Sequence, residues 1–207
     1  MGKIINGILG GVSGKVGGVV GSNWKGIPTI RAYAIPANPQ SAGQTTQREL
    51  FTAVLNFLQL ILTTVLQPYW DPFAVGKSGF NVAMSVNLQA WATKTAFDDA
   101  IVAQGSLESE TIAAAEYATG DGLLDFSWVP AELGDGEDTD TAIIVIVDTT
   151  NNIAFVDTSA TRVDGAKQLD IGTGRTSATL KSYLFFSRGS GETLVVSNSD
   201  FHQVVDG

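Results

Sequence analysis

The 207-residue sequence predicts an α+β fold in three parts: a glycine-rich amino-terminal arm (1–44), a small helical region (45–105) and an antiparallel β-sandwich (106–207). Three observations predict it. Residues 7–26, "GILGGVSGKVGGVVGSNWKG", hold eight glycines and no acid. Apolar residues recur at helical spacing from Phe51 to Leu66. From Ser106 onward the period falls to two, with turn sequences between the runs.

The arm comes first. Val16, Val19, Val20, Trp24 and Ile27 are apolar enough to require burial, whereas each glycine costs a helix about 1 kcal/mol relative to alanine. The segment therefore reads as an extended arm that gains order by packing on another surface. Two arrangements stay open: a strand or loop threaded between subunits, where glycine lets the backbone approach closely, and a glycine-rich hairpin packed on its own domain. Other readings fail on particular residues. A phosphate-binding loop would need glycine where Leu9 stands and a hydroxyl where Val16 follows Lys15. The apolar run from Ile4 to Gly14 is broken by Asn6, Ser13 and glycines, unlike a secretory h-region. Gly10 and Gly14, then Gly17 and Gly21, imitate a membrane-helix packing motif, but Lys15 sits among them. Asn6 also occupies the place where an amino-terminal myristoylation signal beginning at Gly2 prefers Ser or Thr.

"AIPANPQSAGQ", Ala34 to Gln44, is a linker with two prolines. Thr45 or Thr46 then caps a helix, with Glu49 in its first turn, that runs to Gln67 before Pro68. Phe51, Val54, Leu55, Leu58, Ile61, Leu62, Val65 and Leu66 follow its period, and Phe57 and Leu60 widen the apolar face, so the helix is expected to be covered on most sides. With Asn56 and Gln59 inside it, the run falls short of the ~20 apolar residues of a bilayer crossing. No membrane span is expected. A short helix from Gly79, with Phe80, Met84 and Leu88 on one face, and another in "TKTAFDDAIVAQG", ended by Gly105, complete the helical region.

Seven strands are predicted after it: 111–118, 122–129, 140–148, 153–157, 166–171, 178–187 and 192–197, separated by "GDG", "TNN", "VDG" and "RGSG". In "GLLDFSWVP", Leu124, Phe126 and Trp128 point one way and Asp125 and Ser127 the other, as a half-buried strand requires. Strands of this number and spacing suit a sandwich of immunoglobulin-like type.

Charge is divided along the chain. Residues 1–48 carry five basic groups and no acid; the rest carry seven basic and 21 acidic groups, for a net charge of −9. A basic arm before an acidic body can bind nucleic acid or lie on the acidic body of the next copy; a solvated surface charge is the plainer alternative.

Catalytic chemistry has little to work with. There is no cysteine and one histidine, His202, which reads as a surface or packing residue. The acidic loop "ELGDGEDTD" offers Glu137, Asp138 and Asp140 to calcium, but counting from Asp135 places Thr139 fifth and departs from the EF-hand pattern; it reads as a solvated hairpin loop. Asp98 and Asp99 are adjacent and diverge on a helix, and "GTGRTS" (172–177) lacks the third glycine of a dinucleotide fingerprint. No nucleophile, base and orienting group come together, so neither an enzyme, a cofactor nor a metal is expected.

"DFSWVP", "DTAIIVIVD" and "SYLFFS" resemble the second, third and sixth strands of a fibronectin type III-like sandwich. Across nearly the whole chain, "MGKIINGILGGVSGKVGGVVGSNWKG", "NPQSAGQTTQRELF" and "GFNVAMSVN" resemble a family of uncharacterised proteins of Bacteroidetes and their phages, and the NP…Q…QR helix start is similar to that of phage structural proteins. The resemblance implies a self-assembling structural protein of a virion (capsid, decoration or tail component), homo-oligomeric, with other virion proteins as partners and assembled in the host cytoplasm. It carries no catalytic residues across. In that reading Val16, Val19, Val20 and Trp24 anchor the arm in a neighbour, and Lys15, Lys25 and Arg31 meet acidic patches or packaged nucleic acid. A bacterial surface filament or adhesin subunit, binding carbohydrate or protein through the sandwich, is the alternative.

Overall fold

Two tight turns decide what the arm becomes. Lys25 (φ 50°) and Gly26 (φ 84°) form a two-residue connection with both φ positive, the geometry whose twist matches that of paired strands. A second two-residue connection, at Gly17 and Gly18, precedes it. The arm is therefore not a single extended segment. It is an antiparallel sheet of β1 (Lys3–Ile4), β2 (Val12–Val16), β3 (Val19–Trp24) and β4 (Ile27–Ala32), paired in chain order. Local turn chemistry and the β-branched residues supply hydrogen-bond partners that the extended reading left to a neighbour. Gly21 is needed for closeness rather than for φ: a Cβ there would lie 2.0 Å from the Val12 carbonyl oxygen.

The computed structural model describes residues 3–4, 11–35, 37–38, 40–129 and 134–207. Gly2 and Asn6, considered for myristoylation, and Glu132 of the acidic loop lie outside the described residues. The chain divides into two units, Met1–Ala42 and Gly43–Gly207. The helical region and the strand-rich region, separated at 105 in the sequence reading, belong to the second unit together.

In that unit α1 (Ala42–Leu60) starts a turn before the expected Thr45 or Thr46. It gives way at Ile61, whose carbonyl accepts from both Val65 and Leu66 N–H (2.9 and 3.0 Å), to a π-helical turn, Leu62–Leu66. Pro68 does not stop the run, because it stands in the first turn of the short α2 (Gln67–Tyr69), where no N–H is required of it. The axis bends by 66° across this break. α3 (Gly79–Ala90) begins at Ser78, whose hydroxyl accepts from Asn81 N–H. The helix expected in "TKTAFDDAIVAQG" is only a 3-10 turn, Phe97–Asp99. Buried Asn87 explains this: its Oδ1 accepts from Ile101 N–H and its Nδ2 donates to Ile101 O (both 2.9 Å), so side-chain bonds occupy the backbone a helix would use.

Among the described residues nine strands follow: β5 (Thr111–Ala118), β6 (Leu123–Val129), β7 (Thr141–Asp148), β8 (Ile153–Thr161), β9 (Ala166–Asp170), β10 (Leu180–Arg188), β11 (Val195–Val196), β12 (Asp200–Gln203) and β13 (Val205–Asp206). One sheet has the order β11-β10-β7-β8, with β12 also on β10; the other has the order β13-β5-β6-β9. Pairing is antiparallel except between β13 and β5. The strand expected at 192–197 shrinks to β11 after a 3-10 turn, and β12 and β13 were not anticipated.

β7 shows how the layers are arranged. Its run "AIIVIV" does not alternate, because both faces of its sheet are covered. Ile143, Val145 and Val147, with Tyr183 and Phe185 of β10, share a core with Val54, Phe57, Leu58, Trp70, Met84 and Trp91 of the helical region. Ala142, Ile144 and Ile146, with Leu184 and Phe186, share a second core with Tyr117, Leu124, Phe126 and Trp128 of the other sheet. Each such side chain, fully buried, contributes about 1.5–3 kcal/mol. The unit is thus helices, then a sheet, then a sheet, in a mixed α+β fold. Phe51, counted with the apolar face of α1, is 46% exposed; close coverage begins at Val54.

Candidate assembly surface

Strand register sorts the arm's residues by face. Lys15, Val20 and Arg31 are direct cross-strand partners in one row over β2, β3 and β4. Ser22 and Thr29 form the next row on that face, joined through their hydroxyls at 2.8 Å, and Trp24 and Ile27 form the last. Tyr33 continues the face: the Lys15 ammonium lies 3.5 Å from its ring centroid. Val16, Val19 and Ala32 form a row on the opposite face, with Ile30 beside them. The seven residues predicted for the interface are therefore divided. Lys15, Val20, Trp24 and Arg31 share one face, Val16 and Val19 share the other, and Lys25 sits in the turn, 5.1 Å from the Trp24 ring.

Both faces are open. Trp24 is 65% exposed, Ile27 59%, Ile30 66% and Tyr33 45%. Sequence does not single out Ile30 or Tyr33; Tyr33 stands at period two after Ile27, Thr29 and Arg31, a spacing that places it on their face, whereas Ile30 falls on the other. Among the described residues Lys15, Lys25 and Arg31 make no ion pair. The unit has no acid to offer them.

The acidic loop is not merely solvated. Asp140 is fully buried, accepting from Arg162 Nε at 3.2 Å, Arg188 Nη2 at 2.9 Å and Glu137 N–H at 2.9 Å. Arg162, itself buried, also pairs with Glu110 and donates to Glu108 O at 2.8 Å. Its guanidinium lies 4.1 Å from the Phe186 ring centroid. Burial pushes the Asp140 carboxyl up, but the Arg188 hydrogen bond, the Glu137 N–H and the two guanidinium charges outweigh it and hold the group below its ordinary value. Oxygens engaged in this way are not free for calcium. No cluster of three His, Cys, Asp or Glu suited to a metal occurs among the described residues.

Around the other sequence candidates it is backbone carbonyls that hold the fold. Asp98 and Asp99 lie on the 3-10 turn, where Phe97 O accepts from the Tyr183 hydroxyl at 2.9 Å; burial and the Asp98 charge push that phenol well above its ordinary pKa. Gly172 O accepts from the Tyr117 hydroxyl and from Arg175. His202 is half-buried on β12, where its carbonyl accepts from the Ser182 hydroxyl.

A second open surface lies on the β13-β5-β6-β9 sheet, on the side away from its core. Glu116, Asp125 and Gln168 form a cross-strand row there, with Gln168 Nε2 donating to Asp125 at 2.8 Å. Asp170 stands one row along, on β9, and small Ala114, Ser127 and Ala166 form the row on the other side. Carboxylates directly opposite one another repel. An open depression of ≈ 510 Å³ is lined by Ala114, Ser127 and Ala166 together with Glu116, Asp125, Gln168 and Lys167.

A family profile matches residues 11–202. The chain belongs to DUF6266, a family of unknown function. The match takes in β2, β3 and β4 of the arm and the second unit as far as His202, leaving β1 and β13 outside it, so in DUF6266 these three arm strands are part of the shared pattern. No curated protein and no solved structure matches the chain. No single helix among the described residues is long and apolar enough to cross a membrane.

Proposed function

We propose that this chain is a self-assembling structural protein of a phage virion, a capsid, decoration or tail component, in which the amino-terminal sheet joins subunits and the strand-rich part of the body is exposed. One observation carries the proposal: a four-stranded sheet with both faces open, bearing Trp24, Ile27, Ile30 and Tyr33 and cations without acids. A single-layer sheet gains stability by packing a face on something else, and aromatic residues with arginine are the composition of interface centres. The phage assignment rests on the sequence resemblance.

We read the body as a fibronectin type III-like sandwich. β5, β6 and β9 take the positions of strands A, B and E, and β8, β7, β10 and β12 those of C′, C, F and G, an order that supports the reading. Among the described residues no nucleophile, base and orienting group converge, so the role proposed is not enzymatic.

Light scattering and negative-stain microscopy of the purified full chain over a range of salt concentrations test this. Shells, tubes or rings that loosen with salt are expected, since exposed charges more than ~10 Å apart are screened at 0.1 M. A monomer under all conditions would reject self-assembly and turn attention to ligands of the two-sheet body.

A further inference from the structure

We propose that the Lys15–Arg31 face of the arm sheet docks on the outer face of the β13-β5-β6-β9 sheet of a second copy, centred on Glu116 and Asp125. This rests on the self-assembly reading and names the two surfaces that meet.

Charge selects the partner. Every cation of the arm face lacks an acid in its own unit, and the body carries 21 acidic groups in the whole chain's −9 balance. A nucleic acid meeting the arm face would be repelled by that body; a second copy presents the complementary sign.

Spacing selects the surface. Lys15 and Arg31 lie on β2 and β4, two strand spacings apart, about 10 Å. Glu116 and Asp125 are direct neighbours on β5 and β6, and Asp170 stands on β9, two strand spacings from Glu116 and one row along, so the three carboxylates span the width that separates the two cations. Trp24, 65% exposed on the arm face, is an aromatic of the size to enter the depression left by Ala114, Ser127 and Ala166. The contact also accounts for Glu116 opposite Asp125: a repulsive pair in the free chain becomes a two-carboxylate receptor for cations in the assembly.

Such a contact joins two different patches, so it is heterologous. It generates a ring where the rotation closes and a filament where it does not.

The test exchanges the charges. K15E/R31E and E116K/D125K are made in the full chain, with circular dichroism to verify that each keeps its fold, and sedimentation is measured at low salt. Each variant alone is expected to lose assembly, because one surface is reversed and its counterpart is not. Their equimolar mixture is expected to recover it, because each reversed surface then meets its complement. Carbodiimide cross-linking of an equimolar mixture of ¹⁵N-labelled and unlabelled wild-type chain should give mixed-isotope links between the arm and β5 or β6.

Wild-type assembly that survives both reversals would overturn the docking proposal and leave self-assembly standing. A wild-type chain that does not assemble would remove both. Links confined within one copy would overturn the second-copy assignment. Binding of single-stranded DNA that is abolished by K15E/R31E, with no rescue on mixing, would give the face to nucleic acid instead.

Discussion

Arg162 is the residue on which the most buried polar groups depend. It neutralises Asp140 and Glu110, both buried, and caps Glu108 O. Removing one partner from such a set leaves uncompensated charge in the interior, at about 3–5 kcal/mol. Arg162→Ala is expected to lower the urea-unfolding free energy by that amount, whereas an exposed pair such as Lys94–Glu49 (2.9 Å) should change it by less than about 1 kcal/mol. Acid should act on the same region. Asp140 and Asp148 are both held below their ordinary pKa. At Asp148 burial raises it, but Asn151, the Thr150 N–H and Arg175 outweigh that effect. An Asp of ordinary pKa titrates near about 4 once unfolded, so the stabilisation is complete above that pH and is lost as pH falls through the lower folded values. Urea midpoints should therefore fall steeply below about pH 4, and less steeply in Asp148→Asn. Composition revealed that the loop was acidic. It did not reveal which carboxylate is buried, since Arg162 and Arg188 come from strand ends 22 and 48 residues away.

At the scale of elements, period-two and turn signals were the legible ones. Thr111–Ala118 matches its expected bounds, and Gly79 opens a helix as expected, because the spacing of apolar residues along one segment is a local fact. The arm strands were harder to see, since glycine both breaks periodicity and permits the turns that create the sheet. The helix expected over 93–105 is reduced to a 3-10 turn because Asn87, on another element, takes the backbone it needed. Composition proposes the seven arm residues as one interface set, but their division between two faces depends on register. Among the described residues, neither hydrophobic core contains an arm residue. Deleting residues 1–33 is accordingly expected to leave the body's cooperative unfolding in place, as read by near-UV circular dichroism, while abolishing higher assembly. A truncated chain that failed to fold would place the arm in the body's core.

For the molecule as a whole, what sequence could not supply was the layer order. Nothing in "AIIVIV" says that its odd residues meet helices and its even residues meet a second sheet. The strand-rich segment 106–207 reads in sequence as a domain of its own, yet one face of its central sheet belongs to the helices. Expressed alone, it would present Ile143, Val145, Val147, Tyr183 and Phe185 to water as one apolar patch. It is expected to be insoluble or to bind the dye ANS, where a chain beginning at 34 stays soluble. The double-sided strand β7 thereby limits how the gene can be rearranged. Recombination that moved the strands without the helices would move an aggregate, so helices and strands can be transplanted only as one block.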